Sequence, residues 1–142
     1  MDVLITGSEG QLGTELCRVF EDTRPDKADI DGGAHPLDIR DGNAVRSLIA
    51  EKLKPDVVIN AAAAHNVPRC EEAPEEAFAV NATGSRNLAV ACREAGARLI
   101  HISTDYVFGN GHREPIGENA LPAPLNVYAA SKLAGEHLIA AE

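Results

Sequence analysis

Strands and helices alternate along this 142-residue chain, and the alternation predicts an α/β fold. The expected form is a three-layer, doubly wound parallel sheet of about five strands in the order 3-2-1-4-5, with right-handed crossovers. Two observations carry this. Short apolar runs of strand length recur at residues 2–6, 55–60 and 98–103, with stretches of helical apolar spacing between them. The first run leads straight into Gly7-Ser8-Glu9-Gly10-Gln11-Leu12-Gly13, a glycine-rich turn set between a strand and a helix. Residues 1–142 read as one domain, long enough to bury its own core.

The elements follow in order. Val3, Leu4 and Ile5 make the first strand, with no room ahead of them for a signal peptide. Leu16, Val19 and Phe20 give residues 14–20 the apolar stripe of a helix. Residues 27–31 form a weak second strand, short and polar, after which Gly32 and Gly33 turn the chain. Residues 36–39 suggest a small third strand, and Asp41 can cap a helix running to about Leu53. Residues 55–60 form a buried fourth strand through Val57, Val58 and Ile59. A helical stretch from Pro74 to Ala95 stops at Gly96. Residues 98–103 form the fifth strand, residues 104–126 a long loop rich in Gly, Pro and Asn, and a helix opening at Tyr128 closes the chain. There is no internal repeat and no low-complexity linker.

In such a sheet, ligands lie across the carboxyl ends of the strands. Gly7, Asp31, Asp38, Ala61, Ala62, Ala63 and Thr104 all fall at such ends or just beyond. Glycines at 7, 10 and 13 let backbone N–H groups approach a pyrophosphate, and the helix start adds its partial positive charge. The turn therefore predicts a dinucleotide site. Asp31 lies about 20 residues past it, where an acid often accepts from the adenosine ribose hydroxyls. Ala61, Ala62 and Ala63 suit a wall against which a flat cofactor lies; an alanine run packed on a neighbouring helix is the alternative. Tyr128 and Lys132, at (i, i+4), share one helix face. An ammonium beside a phenol favours the ionised phenol and lowers a reference pKa of about 10. With a hydroxyl from a strand end, the pair makes a proton-donor set for forming or breaking a C–OH bond. By itself the spacing is common and a chance surface pair is the better reading, so its weight comes from the upstream elements.

Four stretches occur together and in order: Gly7-x-x-Gly10-x-x-Gly13, Asn60-Ala61-Ala62-Ala63, His101-Ile102-Ser103-Thr104-Asp105-Tyr106-Val107-Phe108, and Pro124-Leu125-Asn126-Val127-Tyr128-x-x-x-Lys132. Together they resemble the extended short-chain dehydrogenase/reductases, which have a Rossmann fold, and within them the dTDP-4-dehydrorhamnose reductase family. The likeness spans nearly the whole chain. It implies NADPH or NADH as cofactor and a dTDP-linked 4-keto sugar as the substrate reduced. It implies that Tyr128 donates a proton to the substrate carbonyl oxygen, that Lys132 holds the nicotinamide ribose and keeps the Tyr pKa low, and that Thr104 orients the same oxygen. Gly7, Gly10, Gln11, Leu12 and Gly13 would surround the pyrophosphate, Asp38 and Ile39 would meet the adenine, and Ala61, Ala62 and Ala63 would line the cofactor channel. Asp31 argues for NADH, because a carboxylate repels a 2′-phosphate; no Arg is well placed to offset that, Arg40 being the one that could lie close, and NADH and NADPH both stay open. His65, Ser103 and Asp105 are candidates to touch the substrate. For His65 the alternative is a loop histidine without that role, and for Asp105 an acid capping local backbone.

Three features depart from that family. The chain stops at Glu142, where relatives continue into a substrate subdomain, so this chain is expected to lack that part. The fifth strand is then an edge whose unpaired N–H and C=O groups invite a homodimer or another partner. Val67-Pro68-Arg69-Cys70 stands where relatives often carry an Asp-Lys pair, and the second strand is unusually polar. A sugar-nucleotide epimerase or dehydratase is a sister reading, although dehydratases carry an Asp-Glu pair after the Thr and here Asp105-Tyr106 follows. A non-catalytic, dinucleotide-binding regulatory module is the reading from a different class.

Composition narrows the rest. A formal charge of −9 disfavours nucleic acid and anionic membranes as partners. No apolar stretch approaches the roughly 20 residues of a membrane span. Cys17, Cys70 and Cys92 are odd in number and lack paired metal spacing, so they read as reduced thiols of a cytoplasmic protein. His35, His101, His112 and His137 show no metal spacing either. Glu71, Glu72, Glu75 and Glu76 read as a solvated face at a helix start rather than a metal site.

Overall fold

In the computed structural model, which describes residues 1–109 and 115–142, five strands form one parallel sheet ordered β3-β2-β1-β4-β5. They are β1 (Val3–Thr6), β2 (Asp26–Asp29), β3 (His35–Pro36), β4 (Val57–Asn60) and β5 (Arg98–His101). This is the Rossmann arrangement in the order expected. His112 and part of the expected loop fall outside the described residues. The helices are α1 (Gln11–Val19), α2 (Gly42–Arg46), α3 (Val67–Glu72), α4 (Pro74–Phe78), α5 (Ser85–Ala95) and α6 (Val127–Ala140). A π-helical segment, Ser47–Leu53, prolongs α2, and another, Ala79–Gly84, joins α4 to α5.

Alternate strand residues leave the sheet on opposite faces, and the core divides accordingly. Leu4, Ala28 and Val58 pack with Val45, Ile49 and Leu88 beneath the α2 and α5 layer. Val3, Ile5 and Ile59 face the other way and pack with Cys17 of α1. β1 pairs with β2 on one side and β4 on the other, with Leu4 opposite Asp26 and Val58. The β1 side chains, Val3, Leu4, Ile5 and Thr6, are among the most deeply buried in the chain, as expected for a central parallel strand. β5 ends the sheet as an edge. Its Ile100 pairs in register with Ile59 and is 44% exposed.

Several boundaries differ from the expected ones. β2 begins one residue earlier and ends at Asp29, two residues before the expected stop. β3 shrinks to His35 and Pro36; proline has no N–H to donate, and pairing continues through Leu37 N–H to the Asp29 carbonyl at 2.8 Å. β5 ends at His101, although Ile102 N–H still donates to the Asn60 carbonyl. α3 was not anticipated. The Asn66 side chain caps it by accepting from Arg69 N–H at 3.0 Å, and Pro68 sits in its first turn, where no donor is needed. The stretch from Pro74 to Ala95 is helical throughout as expected, but opens into π-helix where Asn81, Thr83 and Gly84 occur. Asp41 does cap α2, accepting from Asn43 and Ala44 N–H, and Gly96 ends α5 with φ 71°. No described helix is long and apolar enough to cross a membrane.

α6 lies against the π-helical segment through a glycine. A Cβ on Gly135 would sit 2.3 Å from the Asn81 carbonyl oxygen. Gly135→Ala is therefore expected to cost about 1–3 kcal/mol in urea unfolding, as overpacking does. Gly117→Ala, where nothing lies within 4 Å of the added carbon, should change stability by less than about 0.5 kcal/mol.

Candidate active site

The glycine turn is built by close backbone approach. Gly7 has φ 72°, and a Cβ there would lie 2.5 Å from Ala62 N. A Cβ on Gly13 would lie 1.9 Å from the Gly7 carbonyl oxygen. Glycine at both positions thus brings the start of α1 against the end of β1 and against the loop after β4. Gly10 is the N-cap of α1, with no side-chain cap and no acid in the first turn. The helix start keeps its positive dipole end for an anion. Gln11 and Leu12 sit exposed in that first turn. The buried Ser8 Oγ has no hydrogen-bond partner among the described residues, an orphaned donor beside the turn.

Where the adenosine is expected, the acid at the strand end is a different one. β2 ends at Asp29, whose Oδ2 accepts the Glu9 N–H of the glycine turn at 2.9 Å. Asp31 lies beyond the strand, exposed, its own N–H donating to Asp29 Oδ1 at 3.3 Å. Asp29 is therefore the acid at the strand end, missed because the strand was expected two residues later. The buried Ala28 just before it was the available signal. Asp38 accepts from Arg40 Nη2 at 2.6 Å and from its Nε at 2.9 Å, and this guanidinium holds the Asp38 carboxyl below the usual range. Arg40 is thus already paired. Ile39 turns its side chain into the core beneath Gly84, leaving only its main chain for a ligand.

The residues expected to form a proton-donor set lie where β4, β5 and α6 meet. Ala61, Ala62 and Ala63 are half-buried at the end of β4. The Asn81 side chain accepts from Ala64 N–H at 2.8 Å and donates to the Ala64 carbonyl and to Ser131 Oγ, both at 2.9 Å. Ser131 in turn donates to the Tyr128 carbonyl at 2.8 Å. Asn126 caps α6 by accepting from Ala129 N–H, and Glu71 of α3 accepts from Val127 N–H at 2.7 Å. Glu71 is therefore a cap on another helix rather than part of a purely solvated face. Tyr128, half-buried, meets the Tyr106 ring edge-on, centroids 5.8 Å apart. Thr104 caps the 3₁₀ turn Asp105–Phe108 by accepting from Tyr106 N–H, so the backbone cap considered for Asp105 belongs to Thr104. Asp105 accepts from the Thr104 hydroxyl. Ser103 Oγ donates to the Glu136 carboxylate on α6.

Lys132 is only 2% exposed, its Nζ donating to the Ile102 carbonyl at 2.5 Å. Burial pushes its pKa down to about 8, with the Glu136 carboxylate pulling the other way. His101, one residue before that carbonyl, is pushed to about 4 by burial and by Lys132. Helix α6 thus meets the segment after β5 twice, Lys132 at the Ile102 carbonyl and Tyr128 at Tyr106 of the turn that Thr104 caps. His65 stands apart. It is exposed and lines a pocket of about 330 Å³ with Ala63, Asn66, Arg69 and Glu76, which does not include Thr104, Tyr128 or Lys132. Among the described residues no cluster of His, Cys, Asp or Glu is arranged to hold a metal ion. Asn81 is the chief residue that sequence reasoning missed; its signal was a helix-disfavouring Asn-Ala-Thr-Gly inside an otherwise strong helical stretch.

The family described as RmlD substrate binding domain matches residues 1–142. The dTDP-4-dehydrorhamnose reductase of Streptomyces griseus is 45% identical over 136 residues, covering 96% of this chain and 44% of that protein. The crystal structure of a dTDP-4-dehydrorhamnose reductase from Clostridium acetobutylicum superposes with a TM-score of 0.92 at 40% identity, covering 99% of this chain and 49% of that one. A dTDP-4-dehydrorhamnose reductase from Bacillus anthracis, solved in complex with NADP, superposes at 0.89 with 37% identity, covering 99% and 50%. The chain spans about half the length of these relatives or less.

Removing the Asn81 amide leaves the part-buried Ala64 N–H without its partner and the Ala64 carbonyl with only Cys70 Sγ, at 3.5 Å. Asn81→Ala should destabilise the chain by about 1–3 kcal/mol, the cost of one unsatisfied group removed from water. Urea unfolding measures this, and a loss under about 1 kcal/mol would mean water replaces the amide without cost.

Proposed function

The chain belongs to the RmlD substrate binding domain family, and from that premise we propose that it carries the cofactor site and proton-donor set of an NAD(P)H-dependent reductase of a nucleotide-linked 4-keto deoxysugar. The observation that supports the reading is the meeting of α6 with the segment after β5, where Lys132 reaches the Ile102 carbonyl and Tyr128 the Tyr106 ring of the turn capped by Thr104. The residues present fit a dinucleotide. Gly7, Gly10, Gln11, Leu12 and Gly13 would receive its pyrophosphate, with Ser8 Oγ an unpartnered donor beside them. Asp29 and Asp38, with Asp31 further out, would receive the adenosine. Ala61, Ala62 and Ala63 would form the wall, and Lys132 would hold the nicotinamide ribose. When bound, the reduced nicotinamide supplies hydride.

The chain's own groups handle the proton and the orientation. Tyr128 gives its phenolic proton to the carbonyl oxygen as that oxygen gains charge, and Thr104 donates a hydrogen bond to the same oxygen. The Thr104 hydroxyl would have to turn from its present acceptor, the Asp105 carboxylate at 3.4 Å. A charged Lys132 near the phenolate stabilises it after the proton leaves. Ser103, Asp105 and His65 remain candidates to touch the sugar nucleotide. At the adenosine end, Asp29, Asp31 and Glu9 would surround a 2′-phosphate with negative charge while Arg40 is engaged by Asp38. That arrangement favours NADH over NADPH.

Two substitutions separate binding from chemistry. Tyr128→Phe should leave the calorimetric affinity for NADH nearly unchanged while lowering the rate of 4-keto reduction by about 10²–10⁴-fold, the usual worth of a positioned acid. Unchanged turnover would remove Tyr128 from the mechanism. Gly10→Val should do the reverse, weakening NADH binding by at least about tenfold, or 1.4 kcal/mol. Wild-type affinity in that variant would mean the cofactor does not lie on the glycine turn. Should the unmodified chain bind neither NADH nor NADPH, the whole reading fails.

A further inference from the structure

A hydrogen-bonded line runs from the first strand to the catalytic helix and fixes the state of one imidazole. Asn60 Oδ1 accepts from the Ala62 N–H at 3.1 Å and from the Thr6 hydroxyl at 2.8 Å. The main-chain N–H can only donate, so it identifies the oxygen end of the Asn60 amide. The NH₂ end then faces His101, with Nδ2 3.0 Å from Nδ1. An amide NH₂ also only donates, so Nδ1 accepts, and a neutral imidazole then carries its single proton on Nε2. Nε2 lies 3.5 Å from Lys132 Nζ.

We propose that His101 is a positioning residue for Lys132: locked with its proton on Nε2, it presents that N–H to Nζ and so governs where the amine sits and whether it holds its third proton. An N–H aimed at an ammonium sets donor against donor. Aimed at a neutral amine, it meets a lone pair. The Ile102 carbonyl takes one amine N–H in either state, so the choice falls on the face that looks at His101. The neutral ring assumed here agrees with its depressed pKa of about 4, and the buried amine, at about 8, lies within reach of such a choice. Glu136, one turn along α6, opposes it by favouring the ammonium. Tyr128 lies one turn back on the same helix. The other acids brought to this helix are engaged elsewhere: Glu71 with Val127 N–H, Asp105 with the Thr104 hydroxyl, and Glu76 of α4 with Arg69. On α5, Arg86 and Arg93 pair with Glu142 at the far end. His101 is thus the polar group through which β1 and β4 reach the catalytic lysine.

The link to the cofactor rests on the reductase reading; the state of the pair in the free chain does not. A ribose hydroxyl that accepts from the amine would shift it toward the ammonium, so NADH binding at about pH 8 should take up protons from solvent.

Nitrogen-15 NMR of the histidine rings tests the lock directly in the wild-type chain. The expected His101 spectrum has the proton on Nε2; a proton on Nδ1 overturns the proposal. The lysine side-chain titration tests the consequence. Lys132 is buried while Lys27, Lys52 and Lys54 are exposed, so its midpoint separates from theirs. In His101→Gln the amide can turn its oxygen to Nζ, and the Lys132 midpoint should rise by at least about one pH unit. An unmoved midpoint in a folded variant overturns the proposal, since a merely structural histidine would leave it in place. Absence of NADH binding would sink the reductase reading and leave both NMR results standing.

Discussion

The Asn81 side chain lies in the interior and closes three hydrogen bonds at once, two to the main chain of Ala64 and one to Ser131. Through them the loop after β4 and the helix bearing Tyr128 and Lys132 become one body. A loop end buried without such partners would leave an N–H and a C=O unpaired, at a cost of about 1–3 kcal/mol for each. The π-helical segment around Asn81 widens the helix locally, and Ser85 Oγ donates to the Asn81 carbonyl as part of that adjustment. Gly135 then lets α6 approach the same carbonyl closely. Without this clasp the loop at residues 61–64 and α6 would have no side-chain tie to one another through Asn81.

A second close approach ties the other end of the site. Gly7 allows the first turn to lie against Ala61 and Ala62, and Asp29 fastens that turn to β2 through the Glu9 N–H. The glycine turn is therefore positioned by both neighbours of β1 in the sheet, β2 and β4. The same contact places a carboxylate beside the glycine turn, so the acid that ends β2 is also the one that shapes the turn.

Much of this was legible in the residues because it depends on short-range chemistry. Gly10 and Gly13, the cap at Asp41 and the stop at Gly96 act on neighbouring residues of the chain, so spacing reveals them. The Tyr128 and Lys132 pair follows from helical period. β2 is harder to read: its four residues include only one fully buried side chain, Ala28, so hydrophobic pattern does not fix its ends, and the acid that ends it is Asp29 rather than the expected Asp31. α3 was missed because Asn66 and Pro68 resemble loop punctuation as much as a helix start.

By itself, the sequence determined the parallel α/β sheet, its strand order and the residue types gathered at its carboxyl ends, since apolar period and glycine placement are local properties of the chain. Tertiary structure alone decided which side chains answer one another across long separations: Asn81 with Ala64 and Ser131, Glu71 with α6, Ser103 with Glu136, and Asn60 with His101 and so with Lys132. Those pairings are set by burial. A polar group removed from water must find a partner in whatever element packs against it, and that element is known only once the chain has folded.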